Sequence, residues 1–163
     1  MQPASPRVIE LLNAALTFEL TVTNTYFLHA RMLDNWGLGR LGQVFYTLSI
    51  DEMKDADALI NRILMFEGHP NLQKLGAITV GEDAQEMLTL AYDSEKAAVA
   101  QFNAGAEECH TLGDHGTAAV FEDMVRDEEK HADWFESQLD AIERVGIQQY
   151  LAQHVAAGDG PGA

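Results

Sequence analysis

The sequence predicts an all-α protein: four long amphipathic helices, one long connection between the second and third, and a short fifth helix. Three observations predict it. Proline occurs only at Pro3, Pro6, Pro70 and Pro161, so long stretches carry no helix breaker. Within those stretches apolar residues return at three- and four-residue steps, the period of one helix face. The breaks between them fall at glycine- and proline-containing turns, and neither a strand pattern nor an internal repeat competes.

Ser5–Pro6 reads as an N-cap followed by proline at the first helical position. Val8, Leu11, Leu12, Ala15, Leu16, Glu19, Leu20, Thr23, Tyr26 and Phe27 then keep helical step, to about Asn35, where Gly37 ends the run. A second helix runs from about Leu38 to Phe66, closed by Gly68 and Pro70. The segment from Gly68 to Gly81 has no helical period and is rich in turn residues. Glu82 and Asp83 suit the N-terminus of a third helix, which extends to about Leu112. GDHG at 113–116 is a tight turn in which Asp114 caps a fourth helix, running to about Val145 before Gly146. Ile147 to about Val155 forms the short fifth helix, and the tail after about 156 is expected to be disordered. Tight turns make helices one and two, and three and four, antiparallel pairs. The long segment between the pairs is able to cross the length of the bundle.

The 163 residues fit a single domain, 1–163, with the bundle over about 6–145. A formal charge of −16 disfavours nucleic acid and anionic membranes, and no apolar run approaches a membrane span. The N-terminus has neither the basic start nor the apolar stretch of a signal peptide, and the lone Cys109 forms no internal disulfide. The expectation is a cytoplasmic protein. Hydrophobic residues at 47% argue against disorder despite the charge.

The pattern that asks for chemistry is acidic residues within apolar faces. Glu19 sits between Phe18 and Leu20, in step with Leu12, Leu16, Thr23 and Tyr26. Glu52 and Asp55, and again Glu128 and His131, are three apart and share a face of helices two and four, while Glu95 lies on helix three. Any one such residue is ordinarily a solvated surface charge. Several carboxylates in one core, however, are costly without cations. One Glu from each of two helices, plus Glu-x-x-His from each of the others, is the general di-iron carboxylate scheme.

Several runs together resemble the bacterioferritin family over about residues 7–155. They are ELTVTNTYFLHARMLDNWGL at 19–38, SIDEMKDADALINRIL at 49–64, EGHPNLQKLG at 67–76, GEDAQEML at 81–88 and RDEEKHADWFE at 126–136. The resemblance implies a ferritin-like bundle in a 24-subunit cage built from dimers. Such a cage oxidises ferrous iron at intra-subunit di-iron sites, stores the ferric mineral and is served by a small bacterioferritin-associated ferredoxin. It implies Glu19, Glu52, Glu95, Glu128 and His131 as ferroxidase ligands, with Glu52 and Glu128 bridging.

One position departs from the family pattern: Asp55 stands where a histidine is expected. Five carboxylates around two ferrous ions leave about one surplus negative charge, which favours ferric iron and slows turnover. Alternatively, Asp55 turns away and one metal is held well. Thr47 and Leu48 replace a metal-capable His-Glu pair just before SIDEM, weakening the path to the cage interior.

Met53 projects about 100° from Glu52, away from the metal-facing side. A helical methionine is ordinarily core filler. The resemblance instead implies an axial ligand of haem b, shared between two subunits and suited to electron transfer. The matching pocket is Leu20, Asn24, Phe27, Tyr46, Ile50, Ala56 and Leu72. Tyr26 matches a tyrosine beside the di-iron site, whereas His29, His69, His110 and His115 read as surface or loop histidines.

Two functions follow: an iron-storing ferroxidase, or a haem-bearing subunit with an impaired site in a mixed cage with a second subunit type. A rubrerythrin-like reading lacks the four cysteines of an iron domain. A purely structural bundle leaves the aligned carboxylates unexplained.

Overall fold

In a computed structural model, which describes residues 1–155, the chain forms five helices. They are α1 (Pro6–Asn35), α2 (Gly39–Met65), α3 (Ala84–Thr111), α4 (His115–Val145) and α5 (Ile147–Ala152). The expected four-helix bundle with one long connection is the observed architecture. The expectation for the tail lies outside the described residues.

The helix boundaries have local causes. Ser5 accepts the Arg7 N–H at 3.2 Å, with Pro6 at the first helical position. Asp83, rather than Glu82, caps α3 by accepting the Glu86 N–H at 2.8 Å. Glu86 reaches back to the Glu82 N–H at 2.7 Å. Asp114 caps α4 through the Thr117 N–H at 3.0 Å. The fifth helix is shorter than expected and ends at Ala152. Beyond it Gln153 and His154 donate to the Tyr150 and Leu151 carbonyls, one residue short of α-helical spacing, so the chain tightens and stops.

Helix α1 packs chiefly on α2, and α3 on α4; the two hairpins meet through α1 with α3 and α2 with α4. The connection over residues 66–83 climbs along α1. Asn71 N–H donates to Asn13 Oδ1 at 2.7 Å, Gly76 N–H to Thr21 Oγ1 at 2.8 Å, and Gly81 N–H to His29 Nε2 at 3.1 Å. These rungs are eight helical residues apart, or about 12 Å of axis each, and advance about 80° round α1. Side chains of one helix thus hold a connection with no secondary structure of its own.

The interior divides into two apolar clusters. One contains Leu12, Leu16, Leu59, Ile63, Ala98, Phe102, Phe121 and Met124. The other contains Val22, Tyr26, Leu33, Phe45, Leu88, Ala91, Phe135 and Ile142. On every long helix the change from one cluster to the other happens across a buried glutamate: Glu19, Glu52, Glu95 or Glu128. A polar layer therefore cuts the core in half.

Candidate metal centre

Each glutamate is buried because it stands in helical step with apolar neighbours that cannot leave the core. Glu19 follows Leu12, Ala15 and Leu16 and precedes Val22; Glu95 lies between Ala91 and Ala98. Glu52 sits between Ser49 and Ala56, and Glu128 between Met124 and Phe135. Their exposures are 0 to 1%.

Ligand atoms of Glu52, Glu95, Glu128 and His131 lie within 4.8 Å of one another. His131 Nδ1 is 3.2 Å from Glu52 Oε1, 3.6 Å from Glu128 Oε2 and 3.8 Å from Glu95 Oε2. None of these approaches is aligned as a hydrogen bond at Nδ1 or at Glu52 Oε1. Both oxygens of Glu19 and Oε1 of Glu128 also lack a hydrogen-bond partner among the described residues. Buried polar atoms are nearly always satisfied. Five orphaned atoms converging from α1, α2 and α4, with Glu95 of α3 beside them, match a donor set for cations.

The electrostatics agree. Burial pushes the Glu19 carboxyl well above its ordinary range, reinforced by the charges of Glu52 and Glu128. Burial raises Glu52 to about 6, with His131 opposing it, and Glu128 to about 8, with Glu95 adding to the effect. Burial works against a charged His131, but the carboxylates of Glu128, Glu52 and Glu95 outweigh it and push the imidazole up to about 12. A protonated imidazolium is the positive charge such a cluster recruits when no cation is supplied. A hard or borderline cation bound by four carboxylates and one imidazole would displace those protons.

Asp55 stands outside the four-residue group, half-buried beside it. Burial and the nearby Glu128 and Asp127 raise its carboxyl to about 6. It lines a cavity of about 270 Å³ with Asp51, Lys54, Asp127 and His131. A neighbouring cavity of about 390 Å³ reaches His131 past Gln43, Thr47, Leu48 and Trp134. The centre is thus approached from the α2–α4 face through His131, with carboxylates on one side and apolar groups on the other.

On the opposite side, Tyr26 donates its phenolic O–H to Glu95 Oε1 and sits edge-on to Phe45 at 5.5 Å between ring centroids. A cavity of about 410 Å³ under the crossover ends on Tyr26. Thr17, Thr21 and Thr25 line it, and their hydroxyls bond back to the Asn13, Thr17 and Thr21 carbonyls.

Met53 points out of the bundle at 48% exposure, as its offset from Glu52 requires. Phe27 at 51% and Leu72 at 52% are also exposed. Ala56, however, is sealed in the core at 2%. That residue forms part of the interior packing and is a correction to the pocket named from the resemblance.

His29 is a second correction. It is not a surface residue but wholly buried, with Nε2 accepting from Gly81 and Nδ1 unpartnered among the described residues. Burial lowers it to about 4, so it is a neutral structural acceptor. Its step with Val22, Tyr26 and Leu33 was the available signal.

Comparison with known proteins agrees with the fold. Residues 9–145 match the ferritin-like domain. A bacterioferritin from Brucella melitensis is 41% identical over 154 residues, covering 94% of this chain and 96% of the relative. One from Streptomyces coelicolor is 42% identical over 147 residues, covering 90% and 88%. One from Rhodobacter capsulatus is 39% identical over 153 residues, covering 94% and 95%. With a helical bundle of the expected topology and these matches along nearly its whole length, the chain belongs to the bacterioferritin family of ferritin-like proteins.

Proposed function

We propose that the chain is an iron-storage subunit that oxidises Fe(II) at a di-iron site inside its own bundle. The ferric product is kept in a 24-subunit cytoplasmic cage built from dimers. The observation that carries this reading is the convergence of Glu52, Glu95, Glu128 and His131, with unpartnered buried oxygens on Glu19, Glu52 and Glu128. Glu19, Glu95 and His131 are the terminal ligands, Glu52 and Glu128 the bridging pair, and Asp55 a carboxylate ligand in place of histidine.

Iron is the substrate here. Two ferrous ions each lose one electron; O₂ takes both with two protons and leaves as H₂O₂, or H₂O₂ takes them with two protons to give water. The protein would lower the barrier by holding both ions in a buried, anionic layer that favours the ferric charge. Tyr26 fixes the orientation of Glu95 through its hydrogen bond.

The Met53 thioether has no hydrogen bond among the described residues, and the exposure of Met53, Phe27 and Leu72 supports haem b as a second group. Met53 from each of two subunits would hold it, and it supplies one-electron transfer for iron release. A small ferredoxin is the electron donor in this reading.

Stopped-flow iron oxidation by wild type and Asp55→His tests the ferroxidase. Fast oxidation of two Fe per subunit by wild type is the expected result. No fast phase in either protein overturns it; a slow wild type rescued by the variant instead assigns this chain to a mixed cage with a second subunit type.

A further inference from the structure

A second group of metal-ligating side chains lies at the turn between α3 and α4, and we propose that it is an external site for a borderline divalent transition-metal cation, held by His110 and His115. The two Nδ1 atoms face each other 3.2 Å apart. Two nitrogens each about 2.1 Å from one metal, at angles between octahedral and tetrahedral, are roughly 3.0–3.4 Å apart. The rings therefore stand at a chelating separation.

The other nitrogen of His110 is engaged in the manner that prepares a histidine for a metal. His110 Nε2 lies 2.7 Å from Glu122 Oε1. With the proton on Nε2, the ring donates this hydrogen bond to the carboxylate, which leaves Nδ1 as a lone pair on the side of His115. Both rings are exposed, so water is able to complete the coordination shell.

The turn that presents the rings is rigid. Gly113 adopts φ +77°, a conformation that suits glycine, and Asp114 N–H donates to the Cys109 carbonyl at 2.9 Å. Asp114 is itself pinned by the Thr117 N–H and by Arg62 Nη2, both at 3.0 Å. His110 and His115 flank this turn on either side. Thirteen residues of α4, about 20 Å of helix, separate His115 from Glu128. The site is therefore separate from the carboxylate centre. A direct hydrogen bond between the rings uses the same separation; a bound cation replaces its proton, so binding releases protons.

The test uses zinc chloride on the assembled protein. In zinc-soaked crystals an anomalous peak is expected about 2.1 Å from both Nδ1 atoms. By equilibrium dialysis at neutral pH, His110→Ala and His115→Ala should each lose one zinc per subunit, while His69→Ala loses none. Glu122→Gln should retain the site and weaken it about tenfold. Zinc at the carboxylate centre serves as the internal control, so failure here is separate from failure of the ferroxidase reading. No peak between the rings while that control is occupied, or a peak with unchanged dialysis stoichiometry in both alanine variants, overturns the proposal.

Discussion

Tyr26 on α1 donates its hydroxyl to Glu95 on α3, across the polar layer that divides the core. The bond joins the two hairpins at the point where they would otherwise repel. Tyr26→Phe conserves the ring packing against Phe45 and Phe135 and removes the bond. Denaturant unfolding should show a loss of about 1.5–3 kcal/mol, as for a buried hydrogen bond to a carboxylate. An unchanged midpoint would show that the hydroxyl contributes nothing there.

The metal-free protein should be less stable at pH 8 than at pH 5, against the usual trend. Glu52 and Asp55 are raised to about 6 and Glu128 to about 8, so the native state holds more protons than the unfolded chain between about 4.5 and 8. That stability is complete below the ordinary carboxyl range and is lost as pH climbs through the raised values. Binding Fe(II) or Zn(II) should raise Tm and flatten the pH profile, with proton release measurable by calorimetry in two buffers. Equal Tm values for the metal-free protein at both pH values would contradict the clustered burial.

His29 acts in the opposite sense. Its folded value of about 4 lies below the ordinary imidazole range, so its contribution is complete above about 6.5 and is lost as pH falls through 4. Replacing it by Ala removes the acceptor for Gly81 and leaves a cavity beside Phe45. At constant pH, hydrogen exchange over residues 76–82 should quicken at least tenfold in the variant. Protection equal to wild type would mean that the top rung does not hold the crossover.

Met53→Leu should bind no stoichiometric haem yet melt within about 2 °C of wild type, since a half-exposed, nearly isosteric change disturbs little packing. One low-spin haem per dimer in that variant would remove Met53 from the ligand role.

Helix existence and the inward glutamates were legible because both follow from one-dimensional periodicity. Glu95 was singled out from Glu86, Glu107 and Glu108 by the family resemblance; its step with the buried Ala91, Ala98 and Phe102 is the physical reason that it points inward. Ser5 and Asp114 were legible as caps because capping is local. The burial of His29 was not, because it depends on a connection 52 residues later seating Gly81 on the ring. The early end of α5 likewise follows from backbone pairing, which composition does not encode. Asp55 kept both alternatives open because its side chain lies at the edge of the centre, between the cluster and the Asp51–Asp127 cavity.

The two hairpins carry their polar residues in matching register. Glu19 and Glu95, Glu52 and Glu128, and Asp55 and His131 are each 76 positions apart. Each pair takes one member from the first hairpin and one from the second. The layer therefore has an approximate two-fold axis through its middle, relating one half of the centre to the other. The glutamates obey that symmetry in residue type, and Asp55 with His131 breaks it. Were a pair of ions to occupy the layer, their surroundings would differ at this pair and again at the terminal glutamates, where Glu95 accepts the Tyr26 hydroxyl and Glu19, opposite Phe102 in the register, accepts none. Mössbauer spectra of the ⁵⁷Fe(II)-loaded protein should then resolve two doublets of equal area; Asp55→His should bring them closer, and adding Tyr26→Phe should bring them closer again.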